Sequence, residues 1–191
     1  MLQLGVAALL SVARAAAADS SSAISSKVCA ITDYGAHVTA ANNTASIASA
    51  IADCLKGGTV KVAGGAYKTG PLLVAGGNDV FIEVADGASL VAAFGPDKWP
   101  VSDSLSFGSA LHSRDPATVS DRPARSAGGG GGDYQDFLVF DSCDGCGLIG
   151  NGTLFGKGGR PPVGFDWYYL FDQGKLKHGR PLFLVVNNCK Q

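Results

Sequence analysis

The residues best suited to chemistry lie in a few short stretches. Asp166 and Asp172 bracket Trp167, Tyr168 and Tyr169. Two carboxylates can serve as acid and base in glycosidic hydrolysis, whose inverting form needs them about 6.5–9.5 Å apart with water between. Aromatic rings beside them can stack on a sugar ring. The same rings can instead pack a loop against the body of the protein, and the spacing by itself favours that plainer role. Cys143-x-x-Cys146 has the spacing of a zinc-ligand or redox pair. Zinc wants a second pair of ligands, and thioredoxin-type chemistry wants a helix after the first cysteine. Gly145 and Gly147 suit neither. A structural disulfide or buried stacked thiols is the expected outcome, with the pairing of Cys143, Cys146 and Cys189 left open. His37, His112 and His178 have no partners at nucleophile or metal spacing and read as surface histidines. Gly150-x-Gly152 is no dinucleotide fingerprint, since no helix follows it. These stretches assign no catalytic, metal-binding or cofactor-binding residue, and no cofactor is expected.

Short strands and one helix must position these groups. Ile47, Ala50, Ile51, Cys54 and Leu55 recur at helical spacing and predict a helix over Thr44–Leu55 with one apolar stripe. Asn43 or Thr44 suits its N-cap, and Gly57 a left-handed stop. After Gly58 the period changes to two. Val60 and Val62 flank Lys61, and Val80, Ile82 and Val84 alternate with Phe81 and Glu83. Leu72–Val74 and Ser89–Ala92 add short apolar runs. Val60 and Ile82 stand 22 residues apart, the length of one coil of a β-solenoid, although the same strands could form hairpins of a sandwich. Phe94–Tyr134 breaks the pattern with four prolines and five consecutive glycines, and reads as an inserted loop or linker. Strands resume at Phe137–Phe140, Leu148–Ile149, Thr153–Phe155 and Leu182–Val186. Phe140-Asp141-Ser142-Cys143 and Val186-Asn187-Asn188-Cys189 share a form and lie 46 residues apart, about two coils of the same period. Val60, Val62, Ile82, Val84, Leu90, Val139, Ile149 and Leu184 are expected to stack as one continuous core of parallel strands.

Composition supports a strand-rich, turn-rich chain. Of 191 residues, 27 are glycine and only 16% are charged, which disfavours a helix bundle. A formal net charge of −1 provides no basic field for nucleic acid or an anionic membrane surface. Leu2–Ala13 is a mostly apolar run, too short for a bilayer-spanning helix of about 20 residues. It is followed by Ala16-Ala17-Ala18, so residues 1–18 read as a cleaved signal peptide even though no basic residue precedes the run. A serine-rich leader follows. Five cysteines suit a secreted, oxidising environment, and the odd count leaves at least one thiol unpaired. Asn42-Asn43-Thr44 and Asn151-Gly152-Thr153 are glycosylation sequons, which makes Asn42 and Asn151 candidate acceptors in a secreted protein.

Taken in order, several segments resemble the N-terminal part of the polygalacturonases, glycoside hydrolase family 28. These are Ile31-Thr32-Asp33-Tyr34-Gly35-Ala36, the helix ending Asp53-Cys54, Gly57-Gly58-Thr59-Val60, Tyr67-Lys68-Thr69-Gly70-Pro71-Leu72 and Asp86-Gly87-Ala88-Ser89-Leu90. Leu148–Gly158 is similar to the family's G-x-G-T-I-D-G-x-G segment, and Trp167-Tyr168 stands where a Trp pair usually follows. Arg180-Pro181-Leu182 with Cys189 resembles the next segment. The match spans about Cys29–Cys189, apart from the glycine-rich stretch. Three departures leave a wider pectin-lyase-like relative open. His37–Asn43 replaces an Asp-rich stretch, Ala63 a proline and Phe155 an aspartate.

The resemblance implies an all-β, right-handed parallel β-helix with the N-terminal helix as its cap, acting on pectic polysaccharide. Family members hydrolyse α-1,4-galacturonosyl linkages with inversion through N-T-D, D-D, G-H-G and R-I-K motifs. None of these occurs here. The expectation is therefore the N-terminal part of a secreted, polygalacturonase-like enzyme (residues 19–191), itself inactive. The alternative is a non-catalytic β-solenoid that binds polysaccharide. Cys29 begins the first extended segment and Cys54 lies on the helix's apolar stripe, so docking of the helix is expected to join them in a disulfide.

Overall fold

The alternation that begins at Gly58 turns into strands that wind rather than fold back. The computed structural model describes residues 27–102 and 133–190, so the signal-peptide and serine-rich segments, His112 and most of the glycine-rich stretch lie outside the described residues. β1 (Val28–Ala30) leads into the first full coil, made of β2 (Gly58–Val62), β3 (Ala66–Thr69) and β4 (Leu72–Ala75). The second coil runs β5 (Val80–Val84), β6 (Ser89–Ala92) and, after a long excursion, β9 (Leu138–Asp141). The root of that excursion is an antiparallel ribbon of β7 (Val101–Ser102) and β8 (Asp133–Tyr134). The third coil is β10 (Gly147–Ile149), β11 (Thr153–Phe155) and β12 (Leu184–Asn187).

Equivalent strands of successive coils pair in parallel and form three walls, ordered β1-β2-β5-β10, β3-β6-β11 and β4-β9-β12. Parallel crossovers take the right-handed sense almost without exception, and this is a right-handed parallel β-helix. Val60 opposes Ile82 on the adjacent coil, so their spacing of 22 residues is one turn of the solenoid. The hairpin alternative fails, because every wall pairing is parallel.

Register decides which residues enter the core. Val60, Val62, Ile82, Val84 and Leu90 are all buried inside the coils, as their alternation requires. Three expected core positions differ. Ile149 is in register with Glu83 on the outward row, and the inward partner of Ile82 is Leu148. Since strand side chains alternate faces, a shift of one residue moves Ile149 to the outward row. β10 is the edge strand of its wall among the described residues, and Leu148 and Ile149 are exposed to a similar degree, 36% and 37%. Val139 aligns with Leu73 and Val185 on the outer row, and is buried there without joining the core formed by its neighbours Leu138 and Phe140. Leu184 does occupy an inward row, above Leu138 and Leu72. Among the described residues no further strand covers β12, and Leu184 is 44% exposed.

The echo between Phe140–Cys143 and Val186–Cys189 also needs correction. Val186 pairs directly with Phe140 and Asn187 with Asp141, so 46 residues make one coil rather than two. The extra length is the excursion between β11 and β12. The two turns have the same backbone, with Ser142 and Asn188 both left-handed (φ 53° and 51°), and the Asn187 amide donates to Asp141 Oδ1 at 2.7 Å.

The helix α1 spans Thr44–Cys54 and lies across β1, β2 and β4. Ile47, Ala50, Ile51 and Cys54 face the core, and Leu55 is half-buried. Cys54 is disulfide-bonded to Cys29 in β1, with Cα atoms 6.3 Å apart. Neither expected cap residue caps through its own side chain. Asn43 sits at the N-cap position, but its carboxamide is used elsewhere. It accepts from the His37 N–H at 2.8 Å and donates to the Lys68 carbonyl at 3.2 Å. Asn42 Oδ1 takes the Thr44 N–H instead. Thr44 Oγ1 accepts from the Gly70 N–H at 2.6 Å and fastens the helix start to the β3–β4 turn.

Candidate functional site

Gly150 and Gly152 make the turn from β10 to β11, and their role is close approach between coils. A Cβ on Gly150 (φ 102°) would fall 2.2 Å from the Val84 carbonyl oxygen, and one on Gly152 2.3 Å from Val84 Cγ1. Beyond Phe155 the chain leaves the wall, forms the short helix α2 (Trp167–Asp172) and returns as β12. This annex is held by rings from distant parts of the sequence. Trp167 is buried, with its ring edge-on to Trp99 at 5.9 Å and to Tyr134 at 5.2 Å. Trp99 Nε1 donates to the Gln135 carbonyl at 2.6 Å, and Phe137 stacks on Phe183 with centroids 5.4 Å apart. Buried Asp136 accepts from the Leu182 N–H at 2.7 Å, which ties the returning chain to the start of β9.

These contacts leave a cavity of about 350 Å³, walled by rings including Trp99, Phe137, Phe155, Trp167, Tyr168 and Phe183. Its cations are Lys157 and Arg180, and no carboxylate lines it among the described residues. The Arg180 guanidinium lies 4.1 Å from the Tyr168 ring centre and 5.5 Å from that of Phe171, and Lys157 lies 5.0 Å from that of Phe165. A cation over a ring face gains from the ring quadrupole, and its position is thereby set. The cavity can stack an apolar sugar face on a ring and pair a carboxylate with a cation. Pockets of roughly 300 Å³ and above are of ligand size.

The set Asp166, Trp167, Tyr168, Tyr169 and Asp172 is split by the structure. Trp167 and Tyr168 reach the cavity, while Tyr169 turns outward beneath Arg160 and Lys175, at 4.8 and 5.7 Å. Asp172 is exposed at the helix end. Asp166 precedes α2 with left-handed backbone (φ 59°), and its Oδ1 is buried without a hydrogen-bond partner. Neither acid lines the cavity, so they form no acid–base pair across it. Packing of the aromatics against the solenoid, the plainer reading, holds for Trp167.

Elsewhere, His37 is exposed with Nδ1 2.7 Å from Thr39 Oγ1. His178 is half-buried rather than on the surface, because its ring packs edge-on to Tyr134 at 4.9 Å. Asn42 and Asn151 are both exposed. Cys143, Cys146 and Cys189 are free thiols; no disulfide joins them, and of the expected buried thiols only Cys143 is buried, the other two being half-exposed. Burial, with the neighbouring thiols of Cys146 and Cys189, pushes the Cys143 thiol up to about 12. No group of three His, Cys, Asp or Glu side chains among the described residues is arranged to hold a metal ion. Trp99, Phe137, Lys157 and Phe183 were not singled out by sequence reasoning. Phe137 and Phe183 fall at or next to the starts of expected strands, Lys157 in the segment Leu148–Gly158 and Trp99 in the expected insertion, so nothing local marks them as one site.

No protein-family model matches the sequence, and no curated protein matches it significantly. Solved structures do. A candidate glycosyl hydrolase from Parabacteroides merdae superposes with a TM-score of 0.54 over 85% of this chain and 61% of its own, at 17% identity. The polygalacturonase from Erwinia carotovora ssp. carotovora has a TM-score of 0.54 over 82% of this chain and 38% of its own, at 22% identity. What this chain shares with them is the fold, a right-handed parallel β-helix. The hyperthermoactive exopolygalacturonase from Thermotoga maritima has a TM-score of 0.53 over 87% of this chain and 40% of its own, at 16% identity. The chain spans between about two fifths and three fifths of the length of these three structures.

Proposed function

We propose that this chain is the N-terminal part of a secreted, polygalacturonase-like protein, and that its annex cavity grips a uronate residue of a pectic polysaccharide. The observation that carries the reading is the cavity's composition: aromatic walls, Lys157 and Arg180, and no lining carboxylate among the described residues. A pyranose ring has apolar faces that stack on aromatic rings, and a C6 carboxylate pairs with a guanidinium in a charge-assisted contact. A neutral sugar would supply no opposite charge to either cation. The shared fold with polygalacturonases supports the reading, as do the apolar N-terminal run for secretion and the Cys29–Cys54 disulfide for an oxidising compartment.

One observation favours binding over cleavage within the described residues. Inverting hydrolysis needs two facing carboxylates, and the cavity lining shows none. Hydrolysis of α-1,4-galacturonosyl bonds would draw its acid and base from coils outside those described here, and the described residues alone would act as a non-catalytic binding surface.

Calorimetric titration tests this with the purified chain. Oligogalacturonates should bind, neutral galacto-oligosaccharides should not, and added salt should weaken binding because the pairing is charge-based. Arg180→Ala should abolish the preference for the acidic sugar. Equal affinity for both sugars, or an unaltered preference in Arg180→Ala, would remove the basis of the proposal.

A further inference from the structure

The three free thiols meet at one corner of the solenoid. Cys143 follows β9 and Cys189 follows β12, and the flanking pairs Asn187–Asp141 and Lys190–Asp144 put the two cysteines on adjacent rungs in register. In-register parallel strands lie about 4.7–4.9 Å apart, inside the Cα separation of about 4.4–6.8 Å that a disulfide tolerates. Cys146 reaches the same place from the other side. A Cβ added to Gly77, the residue on the rung that precedes Cys143, would stand 3.2 Å from the Cys146 sulfur. The Asp144 N–H donates to the Gly77 carbonyl at 2.8 Å, which sets that rung against Cys143. Cys143 is thus flanked by Cys146 toward the first coil and Cys189 toward the third, and both thiols act on it. It is buried, whereas Cys146 and Cys189 are half-exposed. Their carbonyl partners are weak ones: Cys143 Sγ lies 3.4 Å from the Val74 and Asp141 oxygens, Cys146 Sγ 3.5 Å from that of Asp144 and Cys189 Sγ 3.3 Å from that of Asn187.

We propose that Cys143, Cys146 and Cys189 form a thiol–disulfide exchange site for a small-molecule disulfide, with Cys143 the common partner of a single internal disulfide made to either neighbour. The accessible thiols react first. The thiolate of Cys146 or Cys189 attacks one sulfur of the incoming disulfide, the S–S bond breaks, and one small thiolate leaves to take up a proton. The Cys143 thiolate then attacks the protein sulfur of the mixed disulfide and expels the second small thiolate. Two cysteine thiols are oxidised to one disulfide, and one small disulfide is reduced to two thiols. A bond to Cys189 links the second coil to the third, whereas a bond to Cys146 closes the turn within one coil. Because burial and the two thiols keep Cys143 protonated at neutral pH, the second step is slow and should speed up about tenfold per pH unit below the value near 12.

The test is to expose the full chain, folded, to glutathione disulfide, quench with an alkylating agent, and read intact mass and cross-linked peptides. The number of alkylated thiols should fall from three by at least two, with two cysteines joined in a cross-link that contains Cys143 and the third alkylated or glutathionylated. In Cys143→Ser, mixed disulfides with glutathione should accumulate at Cys146 and Cys189 without resolving. If that variant does not fold, as judged by circular dichroism, the wild-type peptide map and its pH dependence still decide. Three thiols alkylated at every glutathione poise would overturn the proposal. So would a wild-type cross-link of Cys146 to Cys189, or stable double glutathionylation of the wild type.

Discussion

The walls of the first two coils and the annex between β11 and β12 are built on opposite terms. In the walls, Val60, Ile82, Leu90 and Leu138 are fully buried, and each lies on a parallel neighbour in the same row. In the annex, Tyr168 is 58%, Phe183 44% and Phe171 42% exposed, and the rings pair with cations and with one another. A wall residue is held by equivalents that the repeat supplies on either side. An annex residue is held by partners from the other long excursion, between β6 and β9, and from the start of β9. The comparison separates two roles: burial in the walls maintains the fold, and half-exposed rings beside Lys157 and Arg180 leave a surface able to hold a ligand.

Two substitutions test that division most severely. Phe140→Ala removes a fully buried ring from the inward row of β9 and should cost about 3–5 kcal/mol in denaturant unfolding. Tyr168→Ala removes an exposed ring from the annex and should cost about 1 kcal/mol or less, while weakening oligogalacturonate binding. Comparable losses of stability would erase the distinction between wall and annex.

The disulfide should act on the wall side alone. Replacing Cys29 and Cys54 by Ser should lower stability by about 2–5 kcal/mol, because the bond closes a loop of 25 residues and fixes α1 across the first strands. Calorimetry of the double variant, kept below its unfolding transition, should return the wild-type affinity for oligogalacturonate. A weakened affinity would mean that the two regions are coupled.

The smallest effect is electrostatic and lies beside the same helix. Asp53 accepts from Lys27 Nζ at 2.8 Å and from the Tyr34 hydroxyl, and these two bonds hold its carboxyl below the usual range. The Asp53 hydrogen bond, in turn, raises the Tyr34 phenol. A lowered carboxyl contributes stability that is full above its unfolded value and is lost as pH falls through the folded one. A raised phenol contributes below its unfolded value and loses that contribution as pH rises through the folded one. Asp53→Asn should therefore flatten both the acid and the alkaline limbs of the melting-temperature profile, by a small amount because the groups are solvent-exposed. An unchanged profile at low salt would show that the pair contributes nothing to folding.

The legibility of the chain follows the same boundary. Strands β2 and β5 were readable because alternation, bounded by glycine turns, allows only one face to be buried, and β6 as a short apolar run between turns. The helix and its disulfide were readable because a stripe with helical spacing must dock, and Cys54 lies on it. The cavity was not readable, because Trp99, Phe137, Trp167 and Phe183 have no common period and meet only through folding. Asp166 and Asp172 show the converse: proximity in sequence did not place both acids on one site.

What the sequence by itself determined is a set of short strands bounded by turns, an echo of 22 residues between Val60 and Ile82, and a helix with one apolar stripe, since local periodicity and turn chemistry require no distant partner. Parallel rather than hairpin pairing of those strands was decided by long-range register. Tertiary structure alone decided how many coils separate Cys143 from Cys189, which of Leu148 and Ile149 turns inward, and which aromatic rings enclose the cavity. Register and excursion length depend on long-range pairing. A one-residue shift reverses every side chain in a strand, and an excursion of any length can leave the wall and return to the same rung.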